Sequence, residues 1–505
     1  MSKVTGFLYK FINGIYAVLL IIVLGVCLFA YKTEHAYQKV FQLPNWLYAI
    51  IGLVIIAVLC LIVQKLGKGL KSLEHPRYLM AVLSVLFTGL LMVLTYHYYF
   101  KTGWDAQMVE GAAHAVANND WVNVQNKYFS INQNNVFLVF VFSLPIRLGA
   151  LVGIDNYYFC IIILQCVLFA ATGYLLYRCA EMLTDAACGL TVWLIYVSLV
   201  GISPWVIIPY SDAAGLIFPT VQLYLFLRIC RREKVYLHIF LLAFLCCMGY
   251  GIKPQAAIMG IAILIMALLH FLELSKEERK GTLMKLGAGI LGIVLSVIVV
   301  QAGIKATHLE LDDELAYGMP HYLMLGLNAK HDGVINMEDQ TFSMSFDNAK
   351  ERNAANLEVI KERIQEQGLK GLLTLAKRKT LVNFADGTFA WWEEGNFYTE
   401  ERYEGNYQLR SLLTSFFYKD REYFECFKNM MQTLWLGCLI AALGGVRMIG
   451  KTQVVNVLKL SLIGITLFEL IFEARARYLF IYAPIFILVA VMSIYRGLEG
   501  RKRNG

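Results

Sequence analysis

The chain has 505 residues, of which 58% are hydrophobic and only 16% charged, against roughly a quarter charged in a typical soluble domain. Its mean hydropathy of +0.56 means more apolar surface than a soluble fold of this length hides from water. Composition excludes disorder, collagen and a disulfide-stapled mini-protein. The formal net charge of +8 gathers at helix ends, without the basic stripe and interleaved aromatics that nucleic acid demands. An all-α polytopic membrane protein is predicted, with the lipid bilayer as its first partner. The eleven cysteines fall almost entirely in or beside apolar runs. With no CxxC pair and no Cys/His cluster at zinc-ligand spacing, they read as small buried hydrophobes.

In chain order, Lys3 and Lys10 precede an apolar run at 11–30 that no small-residue cleavage site follows, so it is expected to remain as a first membrane helix. Runs of roughly 17–23 apolar residues mark thirteen candidate spans. They lie near 12–30, 46–64, 78–98, 135–153, 157–177, 187–208, 212–228, 236–250, 254–272, 284–303, 430–446, 455–472 and 478–495. Basic clusters occur at Lys65, Lys68, Lys71 and Arg77, at Arg228, Arg231, Arg232 and Lys234, at Lys276, Arg279, Lys280 and Lys285, and at Arg496, Arg501, Lys502 and Arg503. The positive-inside rule makes these cytoplasmic. It puts 99–134, 210–212, 249–255 and 304–429 outside. Three apolar segments separate the first two of these regions, and an odd number of crossings cannot return to one side. One segment must therefore be re-entrant or lie along the interface. The candidate is 135–153, interrupted by Pro145 and Arg147.

Within 100–134, Trp104, Met108, Ala112 and Val116 recur at helical spacing and predict an amphipathic surface helix. The segment 304–429 holds 21 of the 37 acidic residues. Inside it, Asp347 to about Leu381 reads as a helix with Leu357, Ile360 and Ile364 on one face, broken at Gly387 and the cluster Phe389, Trp391 and Trp392. The expected division is 1–98 (first membrane helices), 99–134 (outside loop), 135–303 (membrane core), 304–429 (outside, mainly helical) and 430–505 (last membrane helices and basic tail). No internal repeat is visible.

Several residues could carry chemistry. Asp105, in Thr102-Gly103-Trp104-Asp105, is either a helix N-cap or an acid whose desolvation at the membrane boundary suits a proton-accepting role. Asp212, in Tyr210-Ser211-Asp212, offers the same two readings. If it converges with Asp105, the pair could hold a divalent cation. Lys253, in Gly249-Tyr250-Gly251-Ile252-Lys253-Pro254, breaks the charge rule and either binds an anion or snorkels to headgroups. In Phe472-Glu473-Ala474-Arg475-Ala476-Arg477-Tyr478, Arg475 and Arg477 carry the strongest local signal, because guanidinium forks bind phosphate. Headgroup anchoring is the alternative. Glu473 lies in the same turn. His321, in Met319-Pro320-His321-Tyr322, opens the large segment. Asn134, with Asn132 and Asn135, either binds sugar hydroxyls or caps the next helix. No P-loop and no dinucleotide fingerprint occurs.

In layout and in these short patches, the chain resembles the GT-C superfamily of membrane glycosyltransferases, whose relatives include protein O-mannosyltransferases and aminoarabinose lipid A transferases. Asp105 matches the acidic residue of that family's first long outside loop, although two extra helices precede it. Where the family often shows Tyr-Pro, this chain has Tyr128-Phe129-Ser130-Ile131-Asn132-Gln133-Asn134-Asn135. The stretch 473–478, with His321 and Met324-Leu325-Gly326-Leu327, is similar to a bacterial branch associated with Gram-positive surface glycopolymers. The resemblance implies inverting sugar transfer from a polyprenyl-phosphate donor to a glycopolymer or lipid acceptor, on the outer face of the cell membrane. Asp105 would be the base, and Lys253, Arg475 and Arg477 would hold the departing phosphate. Asp212, Glu473, His321 and Asn134 would contact substrate or a divalent cation. The rival readings are a flippase for the same lipid-linked saccharide, and a structural partner of a polymerase.

Overall fold

The computed structural model describes residues 3–30, 42–70, 76–121, 126–395, 398–401, 406–448 and 453–503. Lys71, in the first basic cluster, falls outside them. The chain is an all-α polytopic membrane protein, and among the described residues twelve helices are long and apolar enough to cross a bilayer. The elements run α1 (Lys3–Phe29), α2 (Asn45–Leu70), α3 (Pro76–Tyr98), β1 (Phe100–Thr102), α4 (Trp104–Ala117), α5 (Asn126–Ile131), α6 (Val136–Leu151), α7 (Tyr157–Leu183) and α8 (Ala186–Tyr196). Next come α9 (Ser211–Gly215), α10 (Ile217–Cys230), α11 (Val235–Ile252), α12 (Ala257–Glu273), α13 (Lys276–Ala306), α14 (Met319–Gly326), α15 (Met337–Met344) and α16 (Ala349–Phe384). The last are β2 (Tyr398–Glu401), α17 (Tyr407–Phe417), α18 (Phe424–Leu443), α19 (Gln453–Ile471), α20 (Ala476–Leu479) and α21 (Ala483–Arg503).

Burial grades the spans. In α20–α21, 83% of the apolar window is enclosed by other helices, whereas in α13 it is 11%. The first is the core of the bundle, and the second turns most of its surface to lipid. Helices approach closely where glycine removes a side chain. A Cβ on Gly52 of α2 would lie 1.9 Å from the Thr433 carbonyl oxygen of α18, and one on Gly437 would lie 2.5 Å from Gly52.

The odd-crossing problem has a structural answer. α6 starts beside Tyr210, where Asn135 Nδ2 donates to the Tyr210 hydroxyl at 3.5 Å. The chain after it arrives beside the end of α3, where Asn156 Nδ2 donates to the Tyr99 hydroxyl and Lys101 Nζ to the Tyr157 hydroxyl. Between these points α6 packs along α4, and Arg147 donates to the Val116 carbonyl at 2.8 Å. The helix thus begins and ends at one end of the bundle, lying across it as the sequence led us to expect of 135–153. The candidate at 187–208 is also not one continuous helix. It is a short apolar piece, Ala186–Gly201, whose last turn widens at Val197–Gly201 before Pro204 starts a 3-10 turn. Proline lacks the amide needed to continue the helix.

The segment 304–429 caps the end where α6 lies. A correction concerns α16. Leu357 and Ile364 are exposed, and the helix instead buries Arg352 and Asn356. Arg352 donates to the carbonyls of Ser343, Glu314, Ala316 and Phe346. The cap is a small layer tied by side-chain bonds to loop carbonyls, so its inner face needs donors more than hydrocarbon. Gly368, at φ 53, breaks α16 in mid-length. β1 and β2 form a two-stranded antiparallel ribbon that joins the cap to the start of α4.

Candidate functional site

At the capped end, the turns before α4, α9, α12 and α20 converge. Asp212, in the first turn of α9, receives Lys253 Nζ at 2.5 Å on one carboxylate oxygen and Arg477 at 2.7 Å on the other. Arg477 Nε also meets Glu394 at 2.8 Å, and Arg475 reaches the same Glu394 oxygen at 2.8 Å. Arg475 Nε pairs with Glu473 at 2.6 Å, and Tyr478 donates to Glu473 at 3.1 Å. Aromatic rings line the cations: Arg477 lies 4.9 Å from the Trp104 ring centroid and 5.2 Å from that of Tyr210, and Lys253 lies 4.6 Å from that of Tyr478.

Lys253, Arg475 and Arg477 thus face Asp212, Glu394 and Glu473, three charges against three. Such a network tolerates burial only because every charge is matched. It has two layers. The side chains of Asp212, Lys253 and Arg477 are 1%, 3% and 4% exposed, whereas those of Arg475 and Glu394 are both 15% exposed and form the rim.

Local structure explains the placement. The 473–477 turn is pinned by the Ala474 amide on the Gly333 carbonyl and by Lys379, which donates to the carbonyls of Gly326 and Phe472. Burial pulls the Lys379 ammonium down to about 7, against the opposing pull of Glu469 and Glu473. Glu394 follows a turn built on Asp386, whose carboxylate accepts from the Thr388 and Ala390 amides and from the Trp392 indole. Phe389 and Ala390 take positive φ values of 55° and 63° there.

Asp105 stands at the edge of this network, half-buried. It is not the N-cap of α4, a position held by Gly103. Tyr210 donates to its carboxylate at 3.3 Å, and the Tyr128 phenol, which accepts from Asn135, lies close by. Burial first, and then nearby negative charge that includes Asp105, pushes both phenols up, so they remain protonated donors. Among the described residues, no cation pairs with Asp105. Trp104, just before it, has a φ of 52°, a costly backbone state for a bulky residue. It is held by its indole bond to Thr102 at 3.0 Å and by edge-on packing on Tyr210.

The structure therefore brings together Asp105, Asp212, Lys253, Glu473, Arg475 and Arg477. Capping does not account for either aspartate, since neither helix start has a side-chain cap bond. Snorkelling does not account for Lys253, nor headgroup anchoring for the arginines, because Lys253 and Arg477 are enclosed and Arg475 is paired with Glu394 and Glu473. Asp212 has both oxygens engaged by cations, so Asp105 and Asp212 do not form a two-carboxylate seat for a divalent ion. His321 is buried, with Nδ1 2.7 Å from the Ser343 hydroxyl and its ring stacked on Tyr317. Burial lowers it to about 4, although Glu473 pulls the other way. Burial would raise the Glu473 carboxyl, but the Arg475 guanidinium holds it below its ordinary value. Asn134 is exposed and reaches only Asn135. It is Asn135 that enters the site, donating to the Tyr128 hydroxyl at 2.9 Å.

The sequence reading passed over Glu394, Tyr128, Tyr210 and Glu469. Nothing local links Glu394 to arginines more than eighty positions away. Glu469 did carry a signal, being an acid inside an apolar run. It is fully buried, and neither carboxylate oxygen has a hydrogen-bond partner among the described residues.

Fold and site together define a multi-pass integral membrane protein with a buried ion-pair network under a helical cap. The chain belongs to the family described as conserved hypothetical integral membrane protein, whose family model matches residues 4–497. No curated protein and no solved structure matches it.

Proposed function

We propose that this protein is a membrane glycosyltransferase that moves a sugar from a polyprenyl-phosphate donor to a hydroxyl acceptor, a surface glycopolymer or a lipid. The observation that carries the reading is Asp105: a half-buried carboxylate, held by the Tyr210 phenol, left without a cation among the described residues beside a network of three. Asp105 takes the proton of the acceptor hydroxyl. The acceptor oxygen attacks the anomeric carbon from the face opposite the phosphate. The bond from that carbon to the phosphate oxygen breaks, and the electron pair leaves with the lipid phosphate, so the anomeric configuration inverts. Arg475 at the rim, with Arg477 just beneath it, stabilises the growing negative charge. Lys253 and Asp212 act from below, fixing the Arg477 guanidinium. His321 stays a neutral imidazole bonded to Ser343 inside the cap, and a bound divalent cation is not part of this scheme.

The end holding Arg231, which donates to the Met182 carbonyl at the far end of α7, is taken as cytoplasmic under the positive-inside rule. On this reading the capped end faces outward from the cell membrane. The test is Asp105→Asn in membranes supplied with lipid-linked sugar, with transfer expected to fall about 10²–10⁴-fold. Transfer at the wild-type rate would remove Asp105 as base. In detergent, where no gradient exists, a transferase still consumes donor and a flippase does not.

A further inference from the structure

Two guanidiniums converge on one oxygen of Glu394, at 2.8 Å each. This is the geometry in which arginines hold a phosphate oxygen. Glu394 is supplied by the cap, whereas both arginines come from the turn before the core helix α21. It is also a rim residue, so it is the network's carboxylate that a ligand arriving from the capped end meets first. With it in place the network is neutral and has no net attraction for an anion. Without it, one positive charge is left over.

We propose that Glu394 is a resident occupant of an anion seat formed by Arg475 and Arg477, and that a phosphate ester displaces it. The proposal rests on the transferase reading only for the expectation that the phosphate is lipid-linked. Displacement has a route to Asp105. Glu394 sits in the turn Trp391–Gly395, shortly before β2. β2 pairs with β1, with Phe100 opposite Glu401 and Thr102 opposite Tyr398. β1 ends two residues before the strained Trp104 and three before Asp105. Trp391 also packs on the Phe100 ring, 6.2 Å between centroids. Filling the seat therefore loosens the ribbon that fixes the base, and an empty seat holds the site closed.

The competition has a defined sign. A site open for only part of the time binds more weakly by that fraction, so removing the internal competitor strengthens binding. The purified full chain in detergent is titrated calorimetrically with farnesyl phosphate and, separately, with inorganic phosphate, as wild type and as Glu394→Gln. The variant is expected to bind roughly tenfold tighter or more, the range of one lost charge-assisted bond. A gain confined to farnesyl phosphate assigns the seat to a lipid-linked ester, and an equal gain with inorganic phosphate assigns it to the free anion. Equal or weaker binding by the variant overturns the proposal. Should Glu394→Gln fail to fold, hydrogen exchange of the wild type decides instead. Farnesyl phosphate is expected to speed exchange at Trp391–Gly395 and along β1, and unchanged or slower exchange overturns the proposal. A variant that gains affinity in a chain that transfers no sugar removes the transferase reading and keeps the seat. Sugar transfer with no gain in affinity removes the seat alone.

Discussion

Asp212 and Asp105 are two aspartates at the same end of the bundle, each in the first turn of a short helix. Their surroundings are opposite. Asp212 is enclosed and has a cation on each oxygen. Asp105 is half-open, and its hydrogen-bond partner is the Tyr210 phenol. The same residue in the same local pattern is thus a structural counter-charge in one place and a carboxylate without a paired cation, among the described residues, in the other. What separates them is what the distant turns at 253 and 473–477 bring, or fail to bring, to each carboxylate.

Breaking the enclosed member is the largest expected effect. Asp212→Asn leaves Lys253 and one arm of Arg477 buried without a counter-charge, which costs about 3–5 kcal/mol and is read as a lower unfolding temperature in detergent. Adding Lys253→Met removes one of the orphaned charges and is expected to restore part of the loss. A double variant no more stable than Asp212→Asn would show that the loss is not electrostatic.

The same change at the open member sharpens the contrast. Asp105→Asn orphans no cation, so its unfolding temperature is expected to stay near wild type, within the ~0.5 kcal/mol typical of a site lacking such a mechanism. On the transferase proposal, sugar transfer is expected to fall by about 10²–10⁴. Stability lost along with activity would make Asp105 a second structural charge and erase the distinction.

The aspartates also show how far sequence carries. Membrane class and nearly every span were legible, because hydropathy over twenty residues is a local property. The non-crossing α6 was legible from parity and from Pro145 and Arg147. The short α8 was not, because its apolar run continues through the break at Gly201 and Pro204. Lys253, Arg475 and Arg477 stood out by violating the charge rule. Their partners did not, since Glu394 looks like any acid in a segment holding 21 of them. The face of α16 was misread because periodicity assumes a hydrocarbon neighbour, and here the neighbour is a set of carbonyls that Arg352 satisfies.

Acid gives a smaller and separable test of the cap above the enclosed layer. The groups facing His321 are Ser343, Tyr317, Tyr322, Glu473, Asp339 and Arg352. Burial lowers the imidazole from 6.5 to about 4 in the folded chain, so between these values the unfolded chain binds more protons. The contribution of the neutral ring is whole above about pH 6.5 and is lost as pH falls toward 4, amounting to roughly 3 kcal/mol. His321→Gln, which keeps a polar group for Ser343, is expected to flatten the unfolding temperature across that window. An unchanged slope would move the acid sensitivity to another group.

The smallest effect separates two neighbours around the open aspartate. Asn135 donates to the Tyr128 hydroxyl at 2.9 Å and to the Tyr210 hydroxyl at 3.5 Å, and Tyr210 in turn donates to Asp105. Asn135→Ala therefore frees a phenol to rotate away from the carboxylate it orients. One neutral hydrogen bond is worth about 1 kcal/mol, so transfer is expected to fall roughly fivefold with the affinity for acceptor little changed. Asn134 faces solvent, and Asn134→Ala is expected to transfer at the wild-type rate. The reverse order would mean that the exposed asparagine touches the acceptor directly. The phenols would then be packing around Asp105 rather than holding it in register.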